Sequence, residues 1–378
     1  MKTYSLFFTL LALFALGCSK SEEPTDEGGK LKHKGKAAYT LLLKRNGRLI
    51  GTLLHADNNK ISTVDYADIG FETTDTPLLL FEEDRILTMY HKTSDCTGNI
   101  TVHDFKTGTF KRREIFTDLD ACQLTAKAIV KAGSTVYLAY ESGASDKTVA
   151  SFVRAIDISG SESSFKDVAL AFRPQGLAFA NNRLFVLGLD DAITGKHKLT
   201  VFDEKTTTSP YTQNLGFDAL GIFKDFDGDI IIGYEDHHTT FDSASLDYDF
   251  TNYPSGAFPN FTGSEFRYFD SSGRMYYAML AGTHSSYERI PAVYDFEMNS
   301  TVLYAYENFL TEAERDFKFE IENTTVVRYD EANNLLLVGY KKSGGDDRGG
   351  ILRINPVPNP AFAGNLDLDG IPYAIYVD

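Results

Sequence analysis

A short apolar strand closing on an acidic residue or an asparagine recurs seven times along the 378-residue chain, and this recurrence constrains the fold more than any other feature. It reads Leu54-His55-Ala56-Asp57, Val102-His103-Asp104, Ala155-Ile156-Asp157 and Val201-Phe202-Asp203, then Leu246 to Asp249, Val293-Tyr294-Asp295 and Arg353-Ile354-Asn355. The closing residues fall at 57, 104, 157, 203, 249, 295 and 355, spaced by 47, 53, 46, 46, 46 and 60. Three equal spacings in succession mark a repeated unit, as do the identical triplets Tyr248-Asp249-Phe250 and Tyr294-Asp295-Phe296.

Ahead of most of these strands lies a second signature, in which an apolar strand, a tight polar turn and another apolar strand follow one another. The turns read Glu82 to Arg85, Ala132-Gly133-Ser134, Asn181-Asn182-Arg183, Asp225 to Gly228, Asp270 to Gly273 and Glu331 to Asn334. Asn, Asp and Gly tolerate positive φ, so these are hairpins. Runs such as Ile230-Ile231-Ile232 and Leu335 to Val338 are apolar on both faces, as inner strands packed between neighbours must be. With a more polar fourth strand, such as Thr109 to Phe116, each period holds four strands. Four-stranded units of this length predict an all-β, seven-bladed β-propeller over residues 38–378. The first period, Ala38 to Ile69, supplies only three strands. The tail from Gly370 to Tyr376 reads like the start of a blade, so the C-terminal strand is expected to complete the first blade beside Tyr39 to Leu43. Leu310 to Phe319 is expected to form a short helix between blades 6 and 7.

The N-terminus carries an address. A basic start at Lys2 precedes a nearly unbroken apolar run from Leu6 to Leu16, too short for a bilayer core and suited to a secretory signal. Ala15-Leu16-Gly17-Cys18 resembles a lipobox. The resemblance implies a signal peptide over residues 1–17, removed on processing, and lipidation at Cys18. Residues 18–37 then form a flexible tether with no aromatic side chain. Ser19-Lys20-Ser21-Glu22-Glu23 resembles the signal that sends lipoproteins of some Gram-negative bacteria to the cell exterior, which implies an outer-membrane, surface-facing protein.

Charge narrows the partners. The formal net charge of −16 becomes −17 once Lys2 is lost, which argues against nucleic acid and against an anionic membrane surface. Beyond Cys18 only Cys96 and Cys122 remain, and in an oxidising compartment they are expected to form one disulfide. The chain has no tryptophan, which weakens any glycan cleft built on indole stacking.

Local motifs for chemistry are sparse. Asp225-Phe226-Asp227-Gly228-Asp229 suggests calcium, but an EF-hand needs Gly at position 6 and Glu at position 12, where this chain has Ile230 and Asp236. The hairpin of blade 5 explains the turn better. His237 and His238 are adjacent on a strand and point to opposite faces, so no metal is expected there. There is no Gly-x-Ser-x-Gly elbow, no His-Glu-x-x-His and no nucleotide-binding glycine loop, and neither catalytic residues nor a cofactor are expected. A ligand face does follow from the fold. The loops joining strands 2 and 3 share one face, and with the start of blade 4 they carry Arg173, His197, His237, His238 and His284. The same face carries Tyr287, Arg289, Lys341, Lys342 and Arg348. In an acidic protein, that gathering suits a planar anionic ligand.

The lipobox, the acidic tether, the opening Tyr39 to Leu43 with Leu53-Leu54-His55-Ala56-Asp57 and Ile61-Ser62-Thr63, and the seven-fold repeat together resemble a family of outer-membrane β-propeller lipoproteins. One branch of that family captures ferric siderophores beside TonB-dependent transporters. The resemblance implies a non-enzymatic surface protein that binds a small anionic ligand and delivers it to an outer-membrane transporter. The alternatives are an extracellular propeller enzyme acting on a glycan, or a structural subunit of an outer-membrane complex.

Overall fold

The computed structural model describes residues 29–30 and 39–377, apart from 58–59, 74–75, 144–148, 161–163, 191–194, 205–210, 256–257, 262–263 and 265. The signal peptide, Cys18 and most of the tether lie outside the described residues. Seven antiparallel sheets follow one another along the chain, and each is one blade. Within a blade the chain runs from the innermost strand outward, so the hairpin turns between strands 1 and 2 lie on one face. The loops between strands 2 and 3 lie on the other, with the links from blade to blade.

The ring closes as the sequence predicts. Ile371–Val377 pairs antiparallel with Tyr39–Arg45 and becomes the innermost strand of blade 1, with Thr40 opposite Tyr376 and Leu41 opposite Ile375. Blade 2 gains a fifth strand: Gly29–Lys30, inside the stretch read as tether, pairs with Thr109 and Phe110 on its outer edge.

The hydrophobic core is divided into seven clusters, one in each interface between neighbouring blades. This is why runs such as Ile230-Ile231-Ile232 are apolar throughout. Ile230 and Ile232 pack toward blade 4, Ile231 packs toward blade 6, and all three are fully buried. Leu336 and Val338 likewise face blade 6 while Leu337 faces blade 1. The hairpins form where the turn residues accept positive φ, as at Asn181 (48°) and Asn182 (58°). Between blades 6 and 7 the expected helix is a single wide turn over Glu314–Lys318. Thr311 and Glu314 cap it reciprocally, the threonine hydroxyl receiving the Glu314 N–H and the glutamate receiving the Thr311 N–H.

One register differs from the expectation. In six blades the acidic residue or asparagine of the repeat ends the third strand, as Asp57, Asp104, Asp157, Asp203, Asp295 and Asn355 do. In blade 5 the third strand is His237–Phe241 and Asp242 follows it, while Asp249 sits on the outer strand Tyr248–Asn252. The identical Tyr-Asp-Phe triplets are therefore not equivalent. The physical role decides the matter: Asp242 accepts the N–H groups of Ala244 and Ser245, as Asp104 accepts those of Lys106 and Thr107. Each carboxylate holds the turn into the fourth strand.

Candidate functional site in the central channel

The innermost strands of the blades surround a channel of about 730 Å³, within the size range of small-molecule sites. Its wall is largely apolar, with Phe81, Phe179, Phe223, Phe266 and Phe269 among the lining residues. Charges enter it from strands that are otherwise apolar. Lys224, which ends the inner strand of blade 5, pairs with Glu83, which ends that of blade 2. These blades stand on opposite sides of the ring, so the pair struts the channel at its hairpin end.

Two guanidinium groups make no salt bridge: Arg267 has no carboxylate acting on it, and Arg328 feels only the buried Glu82. Arg328 of blade 7 lies over the Tyr268 ring at 3.6 Å, and no described residue gives it a hydrogen bond; its buried Nε has no acceptor. Arg267 of blade 6 lies over Phe223 at 4.6 Å, donates once to the Phe261 carbonyl at 2.8 Å, and also has an orphaned Nε. Burial lowers the pKa of both, that of Arg267 to about 10. Arg267 therefore remains a cation at neutral pH. Across from Arg328, burial pushes the Glu82 carboxyl up, against the pull of that guanidinium. The Tyr376 hydroxyl is buried beside them in a cleft shared with Glu82, Arg267 and Arg328, and it too has no partner. The lining contains no Ser, Thr, Cys, His, Asn or Gln among the described residues.

The loop face looks different from the sequence expectation. Arg173 donates to Glu141 at 3.0 Å, and Lys127 reaches the same carboxylate at 2.9 Å. Lys341 pairs with Glu322, Lys342 with Asp367 and Glu320, Arg348 with Asp346, and Arg289 loosely with Glu288. Each cation thus has a carboxylate close by. His237 is held by Asp236 at 2.7 Å and stacks on Tyr234. His238 points the other way, buried against Tyr253, Phe261, Tyr294 and Phe296, and burial lowers its pKa to about 4. His197 is also buried, with its pKa lowered by burial. Tyr287 packs edge-on against Tyr306, and His284 is exposed in the same loop. The loops of strands 2 and 3 stand one to two strand spacings, about 5–10 Å, further from the axis than the inner strands. They spread these residues around the rim rather than gathering them. Arg173 is the exception, because it opens the inner strand of blade 4 and shares a cleft with Lys127, which also lines the channel.

Cys96 and Cys122 are bonded, with their Cα atoms 5.0 Å apart, and stitch the strand 2–3 loop of blade 2 to the link into blade 3. Asp120 nearby completes a trio of potential metal donors, but both thiols are consumed by the disulfide. Asp225 serves the blade 5 hairpin, accepting the Asp229 N–H at 2.8 Å, and burial raises its pKa to about 6.

Fold and channel together define a seven-bladed β-propeller whose axial cavity is walled by aromatic and aliphatic side chains and carries both cations and carboxylates. No family model matches the chain, and no curated protein does either. Solved structures do. A puromycin hydrolase mutant aligns with 92% of this chain and 55% of its own at 12% identity and a TM-score of 0.54. The Citrobacter koseri protein AztD aligns over 92% of this chain and 88% of its own, at 12% identity and a TM-score of 0.47. At such identity the likeness shows the propeller fold alone, and the chain spans about half the length of the hydrolase.

Proposed function

We propose that this protein is a non-enzymatic outer-membrane lipoprotein that binds a small anionic ligand of the ferric-siderophore type in its central channel and passes it to a transporter. The observation that carries the reading is the channel itself, a cavity rich in aromatic side chains in which Arg267 has no carboxylate partner and Arg328 faces only Glu82, whose carboxyl burial pushes toward its neutral form. A buried cation without a partner is costly, and a bound anion would relieve the cost. Among the described residues the lining offers few of the amide and hydroxyl groups that would satisfy a sugar, which favours an anionic chelate over a glycan. Delivery to a TonB-dependent transporter and placement on the cell surface rest on the lipobox, the tether and the family resemblance.

The test is calorimetric titration with ferric catecholates, with haem and neutral oligosaccharides as comparators. Binding of the ferric chelates that falls by several kcal/mol when Arg267 and Arg328 are both changed to Gln supports the reading, since charge-assisted contacts are worth about 1.5–3 kcal/mol each. Changing Arg173 and Arg289, which already have carboxylate partners, should matter less. Binding of the oligosaccharides alone would return the glycan reading.

A further inference from the structure

We infer that the channel recognises an aromatic acid: a flat aryl ring bearing a carboxylate, seated against the guanidinium edges of Arg328 and Arg267. This rests on the reading of the channel as the ligand site and names the chemistry it selects. Each arginine already lies over an aromatic ring, Arg328 at 3.6 Å from the Tyr268 centroid and Arg267 at 4.6 Å from that of Phe223. Arg328 keeps its rim of N–H donors and Arg267 those not given to the Phe261 carbonyl, a fork whose spacing matches the two oxygens of a carboxylate. The ring contacts hold both side chains in place in advance, so little rotamer freedom is lost when an acid arrives.

The rest of the wall selects what the acid is mounted on. Phe81, Phe179, Phe266 and Phe269 offer ring surfaces, and hydroxyl and amide donors are lacking among the described lining apart from the Tyr268 phenol. A free phosphate or a polyol would leave many of its oxygens unsatisfied there, whereas an aryl ring would not. The lysines do not compete for the acid, because Lys224 is held by Glu83 and Lys127 by Glu141.

Four small probes separate the components: benzoate, its neutral isostere benzamide, cyclohexanecarboxylate, and inorganic phosphate. Ligand-observed NMR titration of the full chain should rank benzoate at least about tenfold tighter than each of the others, a difference of about 1.4 kcal/mol. Arg328→Gln and Arg328→Lys should both abolish the preference, the lysine because it keeps the charge and loses the fork. Thermal melts confirm that the variants fold, and Arg267→Gln provides a second, independent variant. The inference is overturned if phosphate or cyclohexanecarboxylate binds as well as benzoate, or if benzoate binding survives both glutamine substitutions. Ferric chelates that bind while benzoate does not would sink this inference and leave the proposed function standing. Benzoate that binds while the chelates do not would do the reverse.

Discussion

Single side chains show how this propeller handles polar groups between its blades. Arg154 is completely covered, yet it is bonded to Asp118 and Asp167 and to the Ile115 carbonyl, between the rings of Phe116 and Phe165. Removing it would leave two carboxylates facing an emptied interface between blades 2 and 3. Arg154→Ala should therefore cost about 3–5 kcal/mol in urea unfolding. His238 behaves in the opposite way, for it is buried without a charge partner and stays neutral in the fold down to a pKa of about 4. The unfolded chain takes up the proton near pH 6.5, so it binds more protons than the native state below that point. Stability is whole above pH 6.5 and is lost as pH falls toward 4, by roughly 2 kcal/mol between pH 7 and pH 5. His238→Phe, among rings that already surround the site, should flatten that part of the stability profile, while His103, lowered to about 3 by burial, keeps its own share. Legibility differed at this scale. Arg267 and Arg328 escaped notice because a charged residue in an apolar strand is visible in sequence, but whether it faces the axis depends on the register of its strand in the closed ring. The loop cations were noticed, and their carboxylate partners, such as Glu141 for Arg173 and Asp367 for Lys342, were not, because those partners lie on other strands.

At the scale of elements, the hairpins were the most legible parts of the chain. A turn that needs positive φ limits its residues to a few types, and Asn181-Asn182 or Gly133 declare it locally. The blade 5 register was not legible, because an apolar-acidic triplet does not say whether it closes a third strand or opens a fourth. Only the turn that Asp242 holds decides it. The disulfide acts at this scale too, tying a loop of blade 2 to the start of blade 3 across a separation of 26 residues. Replacing Cys96 and Cys122 with serine should lower stability by roughly 3 kcal/mol in the chain-entropy account. Chemical denaturation of the double variant measures this, and an unchanged midpoint would show that the blades hold the link without it.

For the whole molecule, seven periods and an incomplete first blade were enough to predict the closed ring, because an open edge at Tyr39–Arg45 would have exposed an apolar strand. The address was legible only as a resemblance, and its test is direct: Cys18→Ala should leave unprocessed or soluble protein. Wild-type protein that added protease cannot reach on intact cells would refute placement on the cell surface. Truncation before Gly370 should remove the inner strand of blade 1 and expose the clusters it shares with blades 7 and 2. The expected readouts are loss of a single cooperative melt and gain of dye binding to apolar surface. That same strand also sets an order of events in time. Chains are made from the N-terminus, so blades 2 to 7 can form while blade 1 still waits for the last residues. Tyr376, which shares a cleft with Glu82, Arg267 and Arg328, belongs to those residues, so that wall beside the channel is completed last. A partly synthesised chain thus carries every described lining residue of the channel, Leu79 to Arg328, before it has the closed ring that holds them around the axis.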